Sequence, residues 1–175
     1  HKYLVQGVST YGLEFFEAAG ELDAVYVPIG LGSGICGVMA IRDLLGLKTK
    51  IIGVVSKKEN AYALSFKSQQ NIETSSAQTF AEGIAIRTPN ENALKAIFAG
   101  VDHIVEVSDE LIADSIRILF SRTHNVAEGA GSASLAGLMA ERSKMKNNRV
   151  GVILCGGNID AQNFAMILNG KTPLT

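Results

Sequence analysis

The chain has 175 residues, 47% of them apolar and 19% charged, which is enough for one core-bearing domain spanning 1–175. Sixteen Lys and Arg against seventeen Asp and Glu leave a formal net charge of -1, which removes the electrostatic case for nucleic acid or an anionic membrane and points to a small-molecule partner. Cys36 and Cys155 lie far apart and make neither a disulfide framework nor a metal-type pair; with no signal-like start and no apolar run near the ~20 residues of a membrane span, a cytoplasmic protein is expected.

Leu13, Phe16 and Ala19 recur at helical spacing, so residues 10–19 are predicted helical, with Gly20 as the stop. Residues 23–29 form a short apolar run of buried-strand type that ends in Gly30-Leu31-Gly32-Ser33-Gly34. Helical periodicity resumes at Ile35 and runs to Gly46, and residues 50–55 are the next buried strand, which completes a β-α-β crossover. Residues 60–70 can form a helix, whereas 71–76 are polar and turn-like. A helix over 90–100, a strand over 103–107 and a helix from Ser108, its N-cap, to about Ser121 follow. Small residues dominate 129–140, as in a helix packed closely against other backbone. A strand over 149–154, the loop Cys155-Gly156-Gly157-Asn158 and a helix over 161–168 end the series. Buried-type strands alternating with helices predict an α/β fold with a mainly parallel sheet covered on both faces.

Ligands of such sheets sit beyond the carboxyl ends of the strands, where both glycine loops fall. Gly32-x-Gly34-x-x-Gly37 fits a dinucleotide fingerprint in form, but Ser56, Lys57 and Lys58 follow the next strand where an acid would hold a ribose, so only NADP suits that reading. Phosphate capture is common to both readings, because successive backbone N–H groups and a helix N-terminus need no cationic side chain. A tight βα turn would explain one glycine; three within five residues beside the Ser33 hydroxyl favour phosphate. Cys155 alone is a small hydrophobe, but its level with the phosphate loop makes it a candidate wall of the same pocket. Glu128 reads either as a solvated acid at a helix start or as a pocket residue, and His103 reads as structural; no metal-ligand spacing is present in the sequence.

Four segments, in order, resemble the pyridoxal-phosphate (PLP) enzymes of the tryptophan synthase β type, in the threonine dehydratase and serine racemase branch. Residues 27–37 are similar to the glycine loop that cradles the PLP phosphate. Ala81-Glu82-Gly83 is similar to the family's A-D-G segment. Residues 123–131 resemble the stretch that carries a pocket glutamate, and residues 154–160 the S-G-G-N segment whose first residue faces the pyridine nitrogen. Gln6 to Thr10, with Glu14, resemble the segment before the glycine-loop strand.

The resemblance implies PLP as cofactor, with Gly30, Leu31, Gly32, Ser33 and Gly34 on its phosphate and Cys155, in place of the usual serine, at the ring nitrogen. Glu128 would line the ring or its leaving-group side, and Gly83 and Asn158 would also touch the cofactor. The implied reaction is deamination, by β-elimination of the hydroxyl, of threonine to 2-oxobutanoate and ammonia, with serine as a second substrate; serine racemisation and a hydroxyectoine-pathway dehydratase are alternatives, as is a non-catalytic PLP-binding remnant. In this family the lysine that carries the cofactor lies N-terminal to every motif seen here, and no lysine of this sequence stands in a matching motif. The chain is therefore expected to be the second part of the catalytic domain, unable to complete the reaction alone, working as a homo-oligomer or beside a complementing N-terminal segment. Val55 and Ser56 stand where serine-racemase-like members place a metal-binding acid, so no metal is expected.

Overall fold

The computed structural model describes residues 1–75 and 78–174. In chain order the elements are α1 (Lys2–Ala19), β1 (Ala24–Pro28), α2 (Ser33–Leu44), β2 (Lys50–Ser56), α3 (Ala61–Ser68), a 3-10 turn (Glu82–Ile84), α4 (Glu91–Gly100), β3 (His103–Val107), α5 (Asp109–Thr123), α6 (Gly129–Ala140), β4 (Val150–Val152) and α7 (Ala161–Leu168). The four strands form one parallel sheet in the order β3-β2-β1-β4.

Alternation along β1 sorts its side chains to two faces. Val25 and Val27 join Ile51 and Val55 of β2 under Phe16, Val38 and Ile97, which come from α1, α2 and α4. Ala24 and Tyr26 join Ile52 and Val54 on the opposite face, under Ile112 of α5 and Ala133 and Ala136 of α6. Helices thus cover both faces, as buried-type strands require. The small residues of α6 let it sit close: a methyl group at Gly137 would come 2.6 Å from Val54 Cγ2 and 3.1 Å from Tyr26 Cδ1. Gly37 has the same use on the other face, where a methyl group would meet the Cα of Ser9 at 3.1 Å, so α2 packs on α1 through backbone.

Several boundaries differ from the expectation, and at α1 and β4 the structure shows why. Helix α1 begins at Lys2, eight residues ahead of the predicted start at Thr10, with the His1 side chain as its N-cap. Its first turns are exposed, so burial periodicity gives no signal there. Strand β4 covers only Val150–Val152, because Ile153 N still donates to Tyr26 O while its own carbonyl accepts from Ser134 Oγ at 2.6 Å. That bond draws the chain off the sheet toward α6. Residues 71–75 carry no helix or strand, and Ser76, the last of that polar stretch, lies outside the described residues. Among the described residues no helix is long and apolar enough to cross a membrane.

Strand β1 has β2 on one side, reached through α2, and β4 on the other, reached at the end of the chain. The order of the sheet therefore reverses at β1, and the crevice beyond the carboxyl ends of β1 and β4 is the place where such sheets bind ligands.

Candidate functional site: a glycine-loop cavity beside Cys155

A cavity of about 1090 Å³ occupies that crevice. It gathers Gly30, Leu31, Gly32, Ser33 and Gly34 from the β1–α2 connection, Gly83 from the 3-10 turn and Cys155 from beyond β4. Seven of the nine residues singled out in the sequence therefore share one cavity.

The connection needs its glycines for stated reasons. A methyl group at Gly30 would lie 2.4 Å from Gly83 O, so two backbones touch there and the 3-10 turn is seated against the loop. Gly32 has φ 94, in the left-handed region, and a methyl group on it would lie 2.5 Å from Ala93 Cβ. Gly32 is also the N-cap of α2 and has no side chain to satisfy the first amides of the helix. Among the described residues, none of the backbone N–H groups of Leu31, Gly32, Ser33, Gly34 and Ile35 donates a hydrogen bond within the chain; Cys36 N is the first that does, to Gly32 O at 3.1 Å. Unengaged amides at a helix start, in a cleft, suit an anion with several acceptor oxygens. Among the described residues the charged side chains of the cavity wall are Glu14 and Glu82 and no lysine lines the cavity, so an anion here would be held by backbone and helix dipole. Val27, Ile153 and Leu154 add an apolar wall beside the cup, which suits the flat ring of a pyridoxal phosphate. The residues present fit that cofactor.

The Cys155 side chain opens on the same cavity. The surrounding protein pushes its thiol above the ordinary range, and the nearby Glu128 carboxylate adds to the effect. A neutral thiol is a weak donor and a weak acceptor.

Glu128 and Asn158 line an adjoining cavity of about 440 Å³, which shares Glu82 and Gly83 with the first. Glu128 is half-buried and engaged with the loop after β4: its Oε2 accepts from Asn158 N at 3.0 Å, and its own N–H donates to Gly156 O at 3.1 Å. The loop is pressed tightly onto α6, since a methyl group on Gly131 would come 2.1 Å from Gly156 O. Glycine at 129, 131 and 156 therefore serves close packing.

Tyr11, Phe15 and Ala18 of the α1 wall are not singled out by the sequence. Val8, Tyr11, Phe15 and Ala18 fall on one face of α1 and line the cavity. The Tyr11 hydroxyl donates to Gly34 O at 3.1 Å, and its pKa is raised, first by burial and then by Cys155. Val8, Thr10 and Glu14, which also line the cavity, belong to the segment that resembles the family. The i, i+3, i+7 spacing of Val8, Tyr11 and Phe15 was the one available signal, and it reads equally as core.

The family described as pyridoxal-phosphate dependent enzyme matches residues 1–156. The L-threonine ammonia-lyase of Thermotoga maritima is 30% identical over 167 residues, covering 95% of this chain and 41% of that protein. The phenylserine dehydratase of Ralstonia pickettii is 34% identical over 162 residues, covering 92% of this chain and 50% of that protein. Among solved structures, the processed form of threonine deaminase isoform 2 from Solanum lycopersicum superposes with a TM-score of 0.89 at 27% identity, covering 95% of this chain and 49% of that one. The chain spans about half the length of the curated relatives it matches. Its fold is that of the type II PLP enzymes, and the chain belongs to the pyridoxal-phosphate dependent enzyme family.

Proposed function

We propose that this chain is the cofactor-holding part of a PLP-dependent ammonia-lyase that converts a 3-hydroxy amino acid, threonine first and serine second, to a 2-oxo acid and ammonia, the water eliminated from the β-carbon being taken up again on hydrolysis of the resulting imine. One observation carries the reading: Leu31, Gly32, Ser33 and Gly34, whose backbone amides are unengaged, line the same cavity as Cys155. In this proposal Gly30, Leu31, Gly32, Ser33 and Gly34 hold the phosphate, Cys155 faces the ring nitrogen and Gly83 closes the cup from the 3-10 turn. Glu128 positions the loop that carries Cys155 and Asn158. The substrate class is supported by the names of two relatives, a threonine ammonia-lyase and a phenylserine dehydratase. Threonine and phenylserine differ in side chain and share the 3-hydroxy-2-amino acid core.

When bound, PLP supplies an electron sink for the bonds at the substrate α-carbon. The chain's own residues orient it. The α2 amides fix the phosphate without a mobile cationic side chain. Cys155, held neutral, offers the ring nitrogen a weak partner and does not force a proton onto it, as a carboxylate there would. The apolar side chains of Val27, Ile153 and Leu154 would border the ring and help to keep water from it. Among the described residues no lysine lines the cavity, so the proposal takes the lysine that carries the cofactor from polypeptide outside this chain.

The test is release of 2-oxobutanoate and ammonia from L-threonine, with PLP, by this chain within a longer polypeptide that supplies the lysine. Turnover of threonine and serine is expected. Full cofactor occupancy with neither amino acid deaminated would overturn the reaction assigned.

A further inference from the structure

Two phenol hydroxyls grip the glycine loop from opposite sides. Tyr62, on α3, donates to Leu31 O at 3.2 Å, and Tyr11, on α1, donates to Gly34 O at 3.1 Å. Tyr62 is itself anchored, since its oxygen accepts from Asn90 N at 3.0 Å, and the Asn90 side chain caps α4 by accepting from Asn92 N and Ala93 N. The ring of Tyr62 is 1% exposed and does not line the cavity, whereas Tyr11 does. Each bond fixes a peptide plane. Because a trans peptide sets its N–H opposite its C=O, a carbonyl held on one side aims the following N–H to the other. The Leu31 carbonyl is drawn toward buried Tyr62, so the Gly32 N–H is turned away from Tyr62, and Gly32 lines the cavity. Fixing the Gly34 carbonyl likewise fixes the Ile35 N–H at the open end of α2. Both amides belong to the row that has no partner within the chain. Without the clamps, Gly32 in particular has broad conformational freedom and no side chain to restrict it.

We propose that Tyr11 and Tyr62 are positioning residues for cofactor binding: a two-sided phenol clamp that pre-sets the Gly32 and Ile35 amides for the phosphate. The proposal rests on the reading of the loop as a PLP phosphate cup, and it assigns a role to two residues of α1 and α3 that lie outside the cup itself. Burial raises the pKa of both phenols, so both stay protonated and able to donate across the neutral range. The clamp lowers the cost of ordering the loop at the moment of binding, which is where preorganisation improves affinity.

The experiment compares the chain with Tyr11→Phe, Tyr62→Phe and the double variant, each losing hydroxyl groups only. Three quantities are read: dissociation constants for PLP and for inorganic phosphate, hydrogen exchange across Leu31 to Val38, and the melting temperature. Each single variant is expected to weaken both ligands by about 3- to 10-fold, the range of one lost hydrogen bond, with faster exchange confined to the loop and first turn of α2. Tyr11→Phe is the cleaner arm, because Tyr62→Phe also deprives Asn90 N of its acceptor. Unchanged affinity and unchanged exchange would overturn the clamp, and so would a loss of affinity that only follows a general loss of stability. If the parent chain binds no PLP, the functional reading fails on its own; the exchange data then decide the clamp, with local acceleration supporting it and none overturning it.

Discussion

The Glu128 carboxylate lies directly beneath Gly156: its Oε2 accepts from Asn158 N at 3.0 Å, and a methyl group on Gly156 would stand 2.4 Å from Oε1. One acid at the start of α6 thus fixes the height of the loop that presents Cys155. Gly156→Ala has to lift that loop or turn the carboxylate away. It is expected to weaken PLP binding about 10-fold or more and to cost about 1 to 3 kcal/mol of stability, the range for forcing an added methyl into a packed site. Glu128→Gln keeps an acceptor for Asn158 N and should stay within about 3-fold of the parent, while Glu128→Ala should not. Fluorescence titration with PLP separates these outcomes.

Gly30→Ala is the sharper substitution on the cup. Its methyl would meet Gly83 O at 2.4 Å, and a carbonyl of the 3-10 turn cannot move aside as a flexible side-chain tip can. Cofactor affinity should fall by about 10-fold or more, beyond any loss of melting temperature. A variant that binds PLP as the parent does would contradict the backbone contact between loop and turn.

Cys155 should be slow to alkylate at neutral pH despite its exposure, because the thiol is held above the ordinary range by the cavity walls and by Glu128. Only the thiolate reacts. The iodoacetamide rate should therefore rise with a midpoint above about pH 8.5, the unperturbed thiol value, and Glu128→Gln should lower that midpoint. Saturating PLP should protect the residue. Fast modification at pH 7 would contradict the environment described.

Much of this site was legible because glycine clusters at strand ends leave a mark in composition. Gly30 to Gly34 and Cys155 to Asn158 each follow an apolar run, and the parallel sheet brings both to one end. What was not legible depends on side chains meeting across the fold. Tyr11 and Gly34 are 23 residues apart, and Tyr62 and Leu31 are 31 apart; neither pair lies within any local periodicity. The engagement of Glu128 with Asn158, 30 residues on, is hidden for the same reason. The short span of β4 follows from one hydroxyl on α6, Ser134, reaching Ile153 O.

At the opposite end of the sheet, acid should destabilise the fold through Glu141. Burial raises its pKa, but bonds from Lys144, His103 and Tyr26 outweigh burial and hold the carboxyl below the usual glutamate range. Asp102 is also lowered, chiefly by its bond to His103 and further by Lys50. A lowered folded-state pKa gives stability that is present above the unfolded value and lost as pH falls through the folded one. Melting temperature should thus hold down to about pH 4.3, the free glutamate value, and decline below it. Glu141→Ala should cost about 3 kcal/mol at neutral pH, because it strands the buried Tyr26 hydroxyl, which donates to Glu141 Oε2 at 3.0 Å, and it should flatten the acid limb. An unchanged acid limb would show that this network does not govern it.

The most direct measurement is an absorbance titration of the chain with PLP, followed by borohydride reduction and intact-mass analysis. A phosphate cup without its own cofactor-carrying lysine predicts saturable binding that competes with inorganic phosphate and leaves the protein mass unchanged after reduction. Specific addition of one cofactor to one lysine, or no saturable binding at all, would contradict the account.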